Sequence, residues 1–114
     1  MVHAELSKDS IQIGTKVFTV VPRTKLDKYG NPKTTRVKND IIVLEAVVQD
    51  ITFTMRYENR ENTFLPAVML TLAAEELVDG LSRPYYRHLQ DIPNEECFMT
   101  REEALKSYKE RKGE

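Results

Sequence analysis

The stretch DIIVLEAVVQDITFTMRYEN, from Asp40 to Asn59, carries the strongest β signal in the chain. In its second half, apolar and polar side chains alternate with the period of two that half-buried strands show. The alternating apolar residues are Ile51, Phe53, Met55 and Tyr57. Residues 41–48 form a nearly continuous apolar run before them. We expect two strands joined by a turn at Gln49-Asp50, as a tight antiparallel hairpin.

A second strand precedes this hairpin, and a basic segment separates the two. Residues 17–21 are rich in β-branched and aromatic side chains, and Pro22 ends the run. Residues 22–38 are polar and contain the turn sequence YGNP at 29–32, so we expect an exposed hairpin arm. This basic arm has a net charge of +5, whereas the rest of the chain sums to −6. Its candidate binding residues are Arg23, Lys25, Lys28, Tyr29, Lys33, Arg36 and Lys38.

Residues 67–79 change the periodicity of the sequence. Their apolar side chains recur at the spacing of an amphipathic helix, with Pro66 near its start and Gly80 just after its end. The pattern predicts a helix inserted between strands. A β interpretation of AVMLTL stays open, because β-branched Val68 and Thr71 weaken the start of a helix.

The last third of the chain predicts a further strand and a terminal helix. PYYRHLQDI, at 84–92, alternates as a strand does. Thr100 and Glu103 match the S/T-x-x-E capping box, which predicts a helix over about 101–111. This arrangement accounts for the paired glutamates 102 and 103 without assigning them any catalysis.

Composition restricts the class of protein. A chain of 114 residues with 40% hydrophobic and 31% charged residues suits one globular domain, with residues 1–10 as a loose lead-in. The sequence shows no secretory signal and no apolar run of membrane-spanning length. Cys97 is the only cysteine, so no disulfide forms within the chain. We therefore expect a cytoplasmic protein without membrane association.

The residues that usually carry catalysis do not form a recognisable pattern. The four glycines are scattered, which excludes a local nucleotide-binding loop. Two histidines and one cysteine are too few for a standard structural zinc site. Cys97 lies in an apolar stretch that favours a buried, inert thiol. We expect no enzyme, no catalytic residues, no metal and no cofactor.

Three stretches of the chain resemble small uncharacterised proteins of phages and integrated prophages. They are GTKVFTVVP, VLEAVVQDITFTMRY and CFMTREEALKSY, and the most specific piece is the pattern F-x-T-x-E-E-A at 98–104. The resemblance implies a short SH3-like or Tudor-like β-barrel with a terminal helix, and a phage or mobile-element origin. It implies no functional residues, because the group has no settled activity.

The expected fold is therefore α+β: a small, twisted antiparallel SH3-like barrel or sheet with an inserted and a C-terminal helix. We expect a non-enzymatic binding protein whose partner is another protein. An anti-defence inhibitor of the anti-CRISPR type is a more specific hypothesis, in which an acidic face mimics nucleic acid. Its candidate residues are Glu75, Glu76 and Asp79, which solvation of a helix would explain equally. The alternative is a nucleic-acid-binding module that uses the basic arm.

Overall fold

A computed structural model describes residues 11–112, and the predicted lead-in at 1–10 lies outside this range. Six strands precede one α-helix. The strands are β1 (Lys16–Pro22), β2 (Thr24–Leu26), β3 (Pro32–Thr34), β4 (Ile41–Glu58), β5 (Thr63–Glu76) and β6 (Tyr85–Pro93). A 3₁₀ turn (Asn94–Glu96) leads to α1 (Arg101–Lys112). The broad α+β prediction is confirmed, as is the C-terminal helix.

The main sheet is antiparallel, in the order β1-β4-β5-β6, and β2 pairs with β3 in a separate hairpin. The predicted barrel does not close within residues 11–112. The chain after β6 reaches the free edge of β1 through one bridge, in which Phe18 and Phe98 exchange backbone hydrogen bonds of 2.8 and 2.9 Å. One bridge is too short to continue a ladder, so the sheet remains open.

The core lies on one face of this sheet. Alternate residues of β1, β4 and β5 point to that face because successive side chains of a strand point to opposite sides. Cys97 and Ile11 complete the cluster from outside the strands. The buried strand residues of the cluster are Val17, Val21, Leu44, Ala46, Val48, Leu70, Leu72 and Ala74.

The prediction of a helix over 67–79 is wrong, because these residues belong mostly to β5 and the turn that follows it. Leu70 and Ala74 fit both the helical spacing and a period of two, whereas Leu72 fits only the period of two, and all three are buried. β4 offers this segment backbone partners from Ala46, opposite Ala74, to Thr54, opposite Ala67, with one bulge between them. Pairing satisfies every second peptide group and buries the apolar set, whereas a short helix standing alone is marginal. Gly80, expected after a helix, instead has φ +95° in the β5–β6 connection.

The predicted turn at Gln49-Asp50 is also wrong, because β4 runs through it. Val48 pairs with Leu72 and Asp50 pairs with Thr71, so Gln49 is the extra residue of a β-bulge. The real hairpin turn lies ten residues later, where the Asn62 N–H donates to the Asn59 carbonyl at 3.3 Å. As a result β4 has 18 residues and extends well beyond the end of its neighbour β1, which has 7.

The terminal helix forms as its capping sequence predicts. The Thr100 hydroxyl accepts the Glu103 N–H at 3.1 Å. Arg101 fixes the helix to the sheet, because its guanidinium donates to the Val43 carbonyl at 3.0 Å and lies 5.2 Å from the Phe18 ring centre. Ala104 is fully buried at the contact.

Candidate functional site

The basic arm is held at its base by an internal ion-pair cluster. Asp40 binds the Arg23 Nε at 3.0 Å through one oxygen and the Lys25 Nζ at 2.8 Å through the other. The hydrogen bond from Lys25, followed by that from Arg23, holds the pKa of Asp40 below its ordinary value. Two of the predicted binding residues are therefore partly neutralised by a carboxylate that lies just outside the 22–38 segment.

A second carboxylate organises the tip of the arm. Asp27 accepts the backbone N–H groups of Asn31 and Tyr29 at 2.9 and 2.8 Å, and its other oxygen lies 3.7 Å from the Lys33 Nζ. The Asn31 hydrogen bond is the largest cause of the lowered pKa of Asp27. Asp27 therefore acts as the turn-forming residue of the β2–β3 hairpin.

Three cations of the arm remain without such a partner. Among residues 11–112, no carboxylate lies within ion-pair distance of Lys28, Arg36 or Lys38. Lys28 lies 5.2 Å from the ring centre of Tyr29, which is 75% exposed. The structure thus places the seven predicted residues on one arm but leaves only these three cations available to an external anion.

The candidate acidic face does not exist as one surface. Glu75 and Glu76 are neighbours in β5 and therefore point to opposite sides of the sheet. Glu75 is exposed on the outer face, and Asp79 is exposed in the following turn. Glu76 is 1% exposed, so it is a core residue and not part of a charged surface.

Glu76 forms a buried ion pair that the sequence did not indicate. One of its oxygens accepts from the Arg87 guanidinium at 2.7 Å, and the other accepts the Thr24 N–H at 2.8 Å. The same Arg87 nitrogen donates to the Pro22 carbonyl at 3.0 Å. The pair therefore joins β5 and β6 to the backbone where the basic arm leaves the sheet.

An open depression of about 730 Å³ lies on the outer face of the sheet. Val47 and Ala73 are among its lining residues, and Glu75 and Tyr86 line it beside them. His88 packs edge-on against Tyr86, with ring centres 4.9 Å apart. Cys97 is buried in the core, so this depression does not bring the histidine and the thiol together.

The most prominent surface feature is the far end of the β4–β5 hairpin. We call residues 50–58 and 63–68 the distal ribbon. Within the described part of the chain, β1 pairs with β4 only as far as Val47, and β6 pairs with β5 only from Met69. The distal ribbon is therefore two strands wide and has two open edges.

One side of the distal ribbon is apolar throughout. Directly opposed residues share a face of a sheet, and three successive opposed pairs on this side consist of large or apolar residues. We call this surface the apolar ribbon face. Its pairs are Phe53 with Val68, Met55 with Pro66, and Tyr57 with Phe64.

The apolar ribbon face continues the core but is not covered by it. Ile51 and Leu70, the next opposed pair toward the core, pack into or against the core cluster. Farther out, Phe53 is 79% exposed and Phe64 is 60% exposed. The opposite side carries Thr52, Thr54 and Arg56, and Arg56 lies 3.5 Å from the Glu95 carboxylate. The sequence predicted a half-buried strand here, whereas the structure leaves the apolar side of this strand exposed. The reason is that β1 and β6 are too short to extend along the distal ribbon.

Comparison with known protein families, curated proteins and solved structures finds no match for this chain. Within residues 11–112, no three histidine, cysteine or acidic side chains are grouped as they would be to hold a metal ion. None of the helices formed by these residues is long and apolar enough to cross a membrane.

Proposed function

We propose that the chain is a non-enzymatic protein-interaction protein whose binding surface is the apolar ribbon face. The observation that carries this proposal is the row of three opposed apolar pairs, of which all members except the partly buried Val68 are exposed to solvent. Contiguous apolar surface of this kind on a small domain marks an interaction site far more often than isolated exposed residues do. Among the other exposed apolar residues, Ile13 and Val37 lie apart in the sequence, and Leu77 lines the depression on the outer face together with Val47 and Tyr86.

The chemistry of the face selects its class of partner. It carries aromatic and methionine side chains, which are enriched at protein interfaces, and no charged group. A phosphate backbone would find no cation there. The face therefore fits an apolar protein surface. The anti-defence hypothesis remains a prediction from the phage-type resemblance.

Photo-crosslinking tests this proposal. A photoreactive phenylalanine analogue is placed at position 53, on the apolar ribbon face, or at position 54, where the exposed Thr54 points to the opposite side. In cells that express the protein, we expect a discrete protein adduct from position 53 and none from position 54. Equal adducts from both positions, or none from position 53, would contradict the proposal.

Nucleic-acid binding by the basic arm is the second candidate function. Lys28, Arg36 and Lys38 favour it, because these cations and the exposed Tyr29 are available to phosphates and a base. With about three phosphate contacts to a single strand, the logarithm of the binding constant should fall against the logarithm of salt concentration with a slope of about −2.

The test compares two double charge-reversal variants, one in the basic arm and one on α1 as a control. Arg36→Glu with Lys38→Glu should abolish binding to single-stranded DNA or RNA. Lys106→Glu with Lys109→Glu changes the net charge equally on the exposed side of α1 and should leave binding intact. Absence of binding by the unmodified chain at low salt would remove this candidate.

A further inference from the structure

We infer that the partner of the apolar ribbon face is a second copy of this chain, packed face to face about a two-fold axis. This inference rests on the proposed interaction function and names its partner. It is carried by three properties of the distal ribbon: its lack of support within one copy, its self-complementary chemistry and its exposed area.

The distal ribbon is poorly supported by its own copy. The backbone of Val48 bonds to Gly14 and Thr15. Beyond Val48, no strand among residues 11–112 pairs with the edge of β4 that faces away from β5. β5 likewise has no outer neighbour before Met69. A two-stranded ribbon alone is marginal in water, and a second layer on its apolar side is the usual way to stabilise one. A second copy provides that layer.

The apolar ribbon face can oppose itself without an electrostatic penalty. A two-fold interface brings the same patch together from both copies, so a charge on this patch would be buried against apolar side chains or, at the axis, against its own like charge. The opposed pairs of the face contain no charged side chain, and Met55 with Pro66 lies at its centre. The chain has a net charge of only −1, so repulsion between two copies is small.

The exposed area is sufficient for two copies. Phe53, Met55, Tyr57 and Phe64 are 79%, 57%, 46% and 60% exposed. At about 200 Å² for each large apolar residue, roughly 500 Å² of each copy is available. Face-to-face packing would then bury about 1,000 Å² in total, which is the size at which a specific interface becomes sustainable. The expected association is therefore reversible.

Cysteine cross-linking locates the contact. Met55→Cys places a thiol at the centre of the apolar ribbon face, and Thr54→Cys places one on the opposite side of the same strand. The native Cys97 is fully buried and stays present in both variants. Treated with a short bis-maleimide, the full-length Met55→Cys protein should give covalent dimers, and the Thr54→Cys protein should remain monomeric. Circular dichroism verifies that both variants are folded.

A second variant measures the strength of the association. Phe53→Ser removes the most exposed aromatic of the face and should raise the dissociation constant at least about 30-fold, as loss of an interface anchor does. Dimers from Thr54→Cys but not Met55→Cys, or dimerisation unchanged by Phe53→Ser, would overturn the inference.

The outcomes also separate this inference from the proposed function. Failure of Met55→Cys to cross-link, together with a position-53 photo-adduct to a different protein, would overturn the second copy and leave the interaction function standing. Failure of both cross-linking experiments would remove both proposals.

Discussion

Removing the positive partner of the buried ion pair should destabilise the fold severely. In Arg87→Met, the Glu76 side chain, which has no exposure to solvent, would lose its cationic partner and retain only the Thr24 N–H. Loss of one member of a buried pair costs about 3–5 kcal/mol, because the remaining charge is desolvated without compensation. A domain of this size has about 5–15 kcal/mol of stability in total. The variant should therefore approach the limit of folding.

Urea denaturation measures the effect. With an m-value near 2 kcal/mol per molar, the midpoint should fall by about 2 M. Lys16→Met is the matched control, because it breaks the exposed Lys16–Glu45 pair at 3.2 Å and should cost at most about 1 kcal/mol.

A double variant tests the cause. Glu76→Leu with Arg87→Met removes both charges and should be more stable than Arg87→Met alone. It still loses the acceptor of the Thr24 N–H and the donor to the Pro22 carbonyl, at about 1 kcal/mol each. If Arg87→Met were no more harmful than Lys16→Met, the reasoning about uncompensated burial would be refuted.

Three smaller perturbations test other parts of the fold. Gly80→Ala and Gly30→Ala should each cost about 1–2 kcal/mol in a thermal melt, because φ is +95° and +82° at these positions, and Gly80→Ala should cost only slightly more because its added Cβ would lie 2.8 Å from the flexible end of the Leu26 side chain, which can shift. Thr100→Ala should cost about 1 kcal/mol through loss of the N-cap, and Thr100→Ser should restore most of it; equal urea midpoints for all three proteins would contradict the cap. Because the folded pKa values of Asp27 and Asp40 are lowered, their stabilisation is present above the ordinary value of 3.8 and is lost as the pH falls through the folded pKa. NMR signals of the arm should therefore change below about pH 4, and Asp40→Asn should remove the part of this change at the base of the arm.

Local chemistry allowed the sequence to predict some elements well. The terminal helix depends on Thr100 and Glu103, which are three residues apart, and its cap formed as expected. The β1 strand ends at Pro22, where its run of β-branched and aromatic side chains also ends. In both cases the deciding interactions lie within one segment of the chain.

The errors occurred where a distant partner decides the structure. Leu70 and Ala74 fit both periodicities, and the presence of β4 beside them selects the strand. A polar Gln49-Asp50 pair suits a turn, but a long partner strand converts it into a bulge.

The same limitation applies to the candidate sites. Charge counting identified the basic arm but could not show that Asp40 pairs with Arg23 and Lys25. The alternation of Phe53 and Met55 predicted a half-buried strand, and it carried no information on whether another element would cover that side. Whether this side is covered depends on the lengths of β1 and β6, which pair with other parts of β4 and β5.

Sedimentation equilibrium of the full-length chain, over a concentration series, tests the central claim most directly. The account predicts a reversible change from the 13.2 kDa monomer to twice that mass, and a displacement of this change to higher concentration in Phe53→Ser but not in Thr54→Ser. A mass of 13.2 kDa throughout the series would contradict self-association through the apolar ribbon face. A dimer that Phe53→Ser leaves unaffected would place the contact on another surface.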